Sequence, residues 1–202
     1  MRLPKSAHES GPWRIHEIVP DFTLEDVWAL PVHGGPDDFP KLLELGTSLD
    51  PANADSLPAR ALWRIRDRLG AWFDLGRISQ PDDGEQGLPI PGTEQRSLIE
   101  RLPEDLRGSP WHHDFGSLPF KPLYRTDNES AAEISNKTVF GVLHLAWVDK
   151  GHGQFQGQMG VYVKPRGAFG RAYMAFIKPF RYWVVYPALM RQIERQWKAS
   201  QS

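Results

Sequence analysis

Cysteine is absent from the 202 residues. Disulfides, thiolate nucleophiles and cysteine-type zinc or iron–sulfur sites are excluded with it. An excess of charge is also lacking: 24 Lys and Arg stand against 25 Asp and Glu, a formal net charge of −1. That balance gives no global attraction to nucleic acid or to an anionic membrane, so no nucleic-acid partner is expected. The opening MRLPKSAHESGP lacks the apolar segment of a cleaved leader, and a cytoplasmic setting is the default expectation.

Long hydrophobic runs are missing too. The best candidate, YMAFIKPFRYWVVYPALM over 173–190, is interrupted by Lys178, Pro179, Arg181 and Pro187. A spanning helix needs about 20 mostly apolar residues, and each cation at mid-membrane costs roughly 2.5–3.5 kcal/mol. No transmembrane segment is therefore expected. From Tyr182 the apolar positions Val185, Tyr186, Leu189, Ile193 and Trp197 follow at steps of three or four, the helical period. Arg191, Glu194 and Arg195 lie off that stripe. Pro179 is expected to separate two helical pieces, and Pro187 to begin or kink one. This run reads as a C-terminal helix on a sheet, as one wall of a ligand cavity, or, less favoured, as a helix resting on lipid head groups.

What is present is core material. Hydrophobic residues make up 40% of the chain, with eight Trp and ten Phe, enough for a single sizeable core. Residues 1–11 read as a flexible tail and 12–198 as one domain. WRIHEIV (13–19) reads as a first strand, and FTLEDVWAL as a short helix with Thr23 as its N-cap. PVHGGPDDFP (31–40) reads as a turn-rich loop, with Asp37 and Asp38 solvated. SLPARALWRIRDRLGAWFDLG (56–76) has the clearest helical stripe, through Leu62, Ile65, Leu69, Trp72 and Phe73. Residues 79–95, rich in Pro, Gly and acid, form a loop, and SLIERLPEDLRG holds a short helix around a proline.

The second half changes character. TVFGVLHLAWV (138–148) is β-branched and aromatic, DKGHGQ (149–154) is a glycine turn, and FQGQMGVYVK (155–164) alternates. In the latter, Phe155, Gly157, Met159, Val161 and Val163 face one way, and Gln156, Gln158, Tyr162 and Lys164 the other. Two such runs predict an antiparallel hairpin. Helices lie before and after it, which indicates α+β rather than alternating α/β.

Several constellations bear on chemistry. WHHDFG (111–116) brings His112, His113 and Asp114 together, but adjacent side chains diverge on strand or helix, and no HExxH or cysteine supports a metal. The loop reading is preferred and no metal is expected. His144 shares a strand face with Phe140, Val142 and Ala146, as a hydrogen-bonded core histidine or as a polar anchor in a cavity. TDNESAAEISN (126–136) has Thr126 three residues before Glu129, the form of a capping box on a short helix. Glu129 and Glu133 would then share a face near Arg125, with an acid–base pair as the alternative to a plain capped helix. VYVKPRGAFGR reads as the strand-to-helix turn, with Gly167 and Gly170 as entry; anion binding by its Lys164, Arg166 and Arg171 is the alternative.

The segments DVWALPVHGGPDDFP, LYRTDNESAAEISNKTVFGVLHLAWV and GQMGVYVKPRGAFGRAYMAFIKPFRYWVVYPALM resemble the bacterial domain-of-unknown-function family 2867. The resemblance runs over residues 13–198 and is strongest from Leu123 to Met190. The resemblance implies a START/Bet v 1-like helix-grip (SRPBCC-like) fold, in which a curved antiparallel sheet wraps a long C-terminal helix around an apolar cavity. Relatives are also fused behind NAD(P)H-binding short-chain-dehydrogenase-like domains. No Rossmann glycine fingerprint opens this chain, so the standalone form is expected, without a cofactor. No catalytic residue is carried over. The implied function is binding of a small hydrophobic ligand or lipid, with a lining of Glu133, Phe140, His144, Met159, Tyr162, Tyr182, Tyr186 and Leu189. The alternatives are an enzyme with His144 or Glu133 as acid or base, and an interaction module for a dehydrogenase-like partner.

Overall fold

The computed structural model describes residues 1–48, 88–108 and 120–201. The helix expected over 56–76, the loop up to residue 87 and the 111–116 cluster lie outside the described residues. Strands β1 (Thr23–Gly34), β2 (Lys121–Arg125), β3 (Glu129–Ser135), β4 (Val139–Asp149) and β5 (Phe155–Pro165) form one antiparallel sheet in the order β1-β5-β4-β3-β2. The β4–β5 hairpin pairs without a slip from Val139 opposite Pro165 to Asp149 opposite Phe155. Its alternation is the one read from the sequence. Both faces of β4 are buried, which explains its nearly continuous apolar run.

The face that carries Leu145, Trp147, Met159 and Val161 is covered by α3 (Phe39–Ser48) and the C-terminal helix. That helix has three parts: α4 (Gly167–Phe180), a π turn (Arg181–Val185) and α5 (Tyr186–Ser200). Pro179 sits inside α4 and does not break it. The irregularity comes just before Pro187, which lacks an N–H; the chain widens so that the Tyr186 N–H reaches Arg181 O. Trp147 anchors this layer. Its indole packs near Phe39, Phe155 and Trp197 and donates to Gly35 O at 2.8 Å. The outer side of α4 and the π turn leaves Phe169, Phe176, Phe180 and Trp183 exposed. No described helix is long and apolar enough to cross a membrane.

The opposite face, carrying Phe140, Val142, His144, Ala146 and Tyr162, is covered by the N-terminal segment and by residues 88–108. Several expectations change here. Residues 1–11 are not a free tail: Leu3 N–H donates to Val27 O, Ala29 N–H to Met1 O, and His8 is fully buried. Residues 13–19 hold a short helix, α2 (Ile15–Ile18), preceded by α1 (Ser6–Glu9). Ile15, Ile18 and Val19 have the i, i+3, i+4 spacing of one helical face, and all three are buried. The expected helix at residues 22–30 is β1, and the expected capped helix at 126–136 is the β2–β3 hairpin. There the Glu129 N–H does donate to Thr126 Oγ1, at 3.1 Å, but it closes a turn between strands. The helix expected in residues 97–108 is reduced to two 3-10 turns, Leu98–Arg101 and Glu104–Leu106, separated by Pro103.

Gly170 packs where no side chain fits. A Cβ there would lie 2.3 Å from Thr138 O. We expect Gly170→Ala to cost about 1–3 kcal/mol through overpacking, read as a lower urea midpoint with unchanged slope. An unchanged midpoint would show that α4 is not held against the β3–β4 turn.

Candidate functional site

Two buried polar clusters lie on opposite faces of the sheet. The first fastens the C-terminal helix. A register shift between Leu24 and Asp26 lets β1 turn Asp26 toward the helix. The Asp26 carboxylate is 1% exposed as a residue and accepts from Tyr182 Oη, from Tyr186 Oη at 2.8 Å, and from the Arg181 guanidinium. The π turn places Arg181, Tyr182 and Tyr186 on the side facing β1. Trp28 completes the contact, its ring 4.6 Å from that of Tyr186. The polar groups of Asp26, Arg181, Tyr182 and Tyr186 are used within the cluster, while the Trp28 indole N–H finds no partner among the described residues.

The second cluster is histidine-rich. Glu129 on β3 accepts from the Arg14 N–H and pairs with His144 Nε2 on β4, each at 2.8 Å. His8, from α1, lays its ring over Gly160 of β5, where a Cβ would fall 2.8 Å from Nε2. Its Nδ1 meets Gln158 Oε1 at 2.5 Å, so Nδ1 carries the proton and Nε2 is bare. The His8 ring centre is 4.9 Å from that of His144, and 5.8 Å from those of His16 and Tyr162. Burial first, and then the neighbouring His144, pulls His8 down to about 4. Burial, then His16, pulls His144 down to about 3. Burial pushes Glu129 and the Tyr162 hydroxyl upward. Both histidines are therefore neutral at pH 7. The nitrogens His8 Nε2, His16 Nε2 and His144 Nδ1 and the Tyr162 hydroxyl are enclosed and find no hydrogen-bond partner among the described residues. Among the described residues no three His, Asp or Glu groups converge on a point that could hold a metal ion.

A pocket of about 330 Å³ opens beside this cluster. Val19, Pro20, Phe22 and Leu24 form its apolar walls; Glu9, His16 and Tyr162 supply the polar ones.

The residues expected to line one cavity divide between the faces. Met159, Tyr182, Tyr186 and Leu189 lie in or against the helix-side core. Phe140, His144 and Tyr162 lie on the other side. Glu133 shares that side but is occupied as a pin: it accepts from Ser97 Oγ at 2.7 Å and from the Leu98 N–H at 2.8 Å. It holds residues 88–108 in place, and the partner of His144 is Glu129. In the expected anion loop Arg166 donates to Pro89 O, Leu88 O and Asn136 O, and Lys164 pairs with Asp21. Asp26, His8, His16 and Gln158 do not stand out in the sequence. The available signal is Gly160, since a glycine within a strand marks close approach of another group.

The fold is α+β, an open antiparallel sheet packed against a long C-terminal helix, with its candidate site on the face away from that helix. The model of a family described as a protein of unknown function, DUF2867, matches residues 18–188, and the chain belongs to that family. No curated protein and no solved structure matches it.

Removing Asp26 leaves the Arg181 guanidinium and two phenols facing apolar neighbours. We expect Asp26→Ala to cost about 3–5 kcal/mol, as for one partner of a buried ion pair, measured by urea unfolding. A loss below about 1 kcal/mol, the scale of an exposed pair, would show that the cluster does not fasten the helix.

Proposed function

We propose that this protein binds a small, largely apolar molecule bearing a hydrogen-bonding group, in the pocket lined by His16 and Tyr162. The observation that carries the reading is that His16 and Tyr162, whose Nε2 and Oη find no hydrogen-bond partner among the described residues, both belong to the pocket wall, where a turn of the side chain can present either atom to a ligand. A buried polar atom without a partner costs roughly 1–3 kcal/mol, and a ligand group that bonds it recovers that cost. Apolar walls with a few convergent polar groups are the usual composition of a ligand site. The reading keeps the small-molecule function implied by the family resemblance but moves the site. Tyr182 and Tyr186 are tied to Asp26, so the helix-side residues are occupied by the fold itself. A helix-grip architecture, a bacterial source and a dehydrogenase-like docking partner belong to the same proposal and rest on the resemblance.

A second reading, acid–base catalysis, is favoured by one observation. The rings of His16, His8 and His144 follow one another from the pocket wall to Glu129, in steps of 5.8 and 4.9 Å between centres. In that reading Glu129 replaces Glu133 as the carboxylate, and a buried neutral histidine serves as the proton acceptor.

Native mass spectrometry of the purified protein, followed by extraction, tests the binding proposal. We expect a non-protein mass that is released on denaturation. Tyr162→Phe should weaken its retention up to about tenfold, the value of one hydrogen bond, and Leu24→Trp should abolish it by filling the pocket. Retention unchanged in both variants would overturn the site, and a chain that carries and takes up no small molecule would overturn the function.

A further inference from the structure

We propose that residues 1–11 are a proton-sensitive latch: protonation of His8 expels it from its slot over Gly160 and uncovers His144 and Tyr162, while the rest of the sheet stays folded. The latch stands apart from the ligand reading, because it requires no occupant in the pocket.

Full burial in the segment is concentrated at one side chain. His8 is the one buried residue among its eleven. Its helix, Ser6–Glu9, spans four residues, far too short to persist alone. The other ties run along the edge of β1: Leu3 N–H donates to Val27 O, Ala29 N–H to Met1 O and the terminal ammonium to Ala29 O, while Leu3 packs half-buried against the core and Arg2 lies over the Tyr182 ring. Trp13, Ile15 and Ile18 begin the core proper and anchor the chain beyond the segment.

The slot accepts only the neutral ring. Facing His8 are His16 from α2, Glu129 from β3, His144 from β4, and Gln158 and Tyr162 from β5, with Glu9 next to it on its own helix. Glu129 is already engaged by Arg14 and His144. Gln158 Oε1 accepts from Nδ1 in either charge state. A proton added at Nε2, by contrast, is a buried donor over the Gly160 backbone, and Nε2 has no acceptor there.

These surroundings set the direction of the pH effect. Packed His8 is held at about 4 by burial and then by His144, against 6.5 for the ordinary imidazole. Released His8 therefore takes up a proton that packed His8 refuses, at any pH between those values. The latch is at full strength above pH 6.5 and weakens as pH falls through 6.5 toward 4. Each unit multiplies the released-to-packed ratio by up to about ten, and His144, once uncovered, contributes a second factor of the same kind.

Amide hydrogen exchange from pH 7.5 to 4.5, corrected for intrinsic rates, reads this on the full chain. We expect protection at Leu3 and at Ala7 to Gly11 to fall about tenfold or more per unit below about pH 6.5, with β4 and β5 amides still protected. His8→Leu should flatten the dependence. Gly160→Ala should release the segment already at neutral pH, since its Cβ occupies the place of the ring. Protection that is independent of pH, or lost together with that of β4 and β5, overturns the latch. Should His8→Leu fail to fold, an NMR titration of wild-type His8 decides: its midpoint should coincide with loss of Leu3 protection. A His8 that titrates while Leu3 stays protected would also overturn it.

Discussion

Asp26 is the constraint on which the helix side of the molecule depends. A carboxylate this deep is strongly disfavoured unless its charge is matched and its lone pairs are filled. Arg181 supplies the charge, and Tyr182 and Tyr186 supply the donors. Tyr182 and Tyr186, four residues apart, share a face of a regular α-helix. The π turn before Pro187, closed by the Tyr186 N–H on Arg181 O, adds Arg181 to that face. The bulge in β1 does the same from the opposite side, turning Asp26 toward the helix. Two local irregularities, one in a strand and one in a helix, thus specify a single docking geometry, where apolar contacts among Trp28, Tyr186 and Leu189 alone would tolerate sliding.

The sheet divides the chemistry. On the helix side Asp26, Arg181, Tyr182 and Tyr186 satisfy one another, while Trp28 Nε1 and Ser130 Oγ find no partner among the described residues. On the N-terminal side three imidazole nitrogens and a phenol remain without partners beside a pocket. Unfilled hydrogen-bonding capacity inside a protein is costly in a low-dielectric setting, and on this face His16 and Tyr162 carry it into the wall of a pocket. That conjunction, rather than the presence of a cavity alone, favours a site away from the helix. The sheet also accounts for the division of the expected lining: alternation along β4 and β5 sends His144 and Tyr162 to one face and Met159 to the other.

Legibility in the sequence depends on how local each determinant is. The β4–β5 hairpin is readable because both strands keep an unbroken register around a glycine turn. The amphipathic stripe Tyr186, Ile193 and Trp197 is readable for the same reason, and its residues are buried as expected. β1 is not, because the bulge between Leu24 and Asp26 breaks the period of two and leaves Leu24, Val27 and Trp28 at spacings that also suit a helix. Thr126 and Glu129 do interact, yet the same contact serves a hairpin turn as well as a helix start. His8 and Gln158 are 150 residues apart in sequence, and no periodicity links groups that meet only after the sheet has assembled.

The N-terminal segment shows why composition misleads most where function is proposed. MRLPKSAHESGP is polar, and a polar segment cannot ordinarily bury enough apolar area to offset the entropy of ordering it. It is ordered here by edge pairing and by one imidazole in a slot that a glycine makes available. The imidazole is the one fully buried side chain in this segment, so in the proposed latch its cover over His144 and Tyr162 is conditional on that ring staying neutral. Burial that holds a histidine neutral and a strand glycine that admits it are one device seen from two residues. Neither could be recognised without the other.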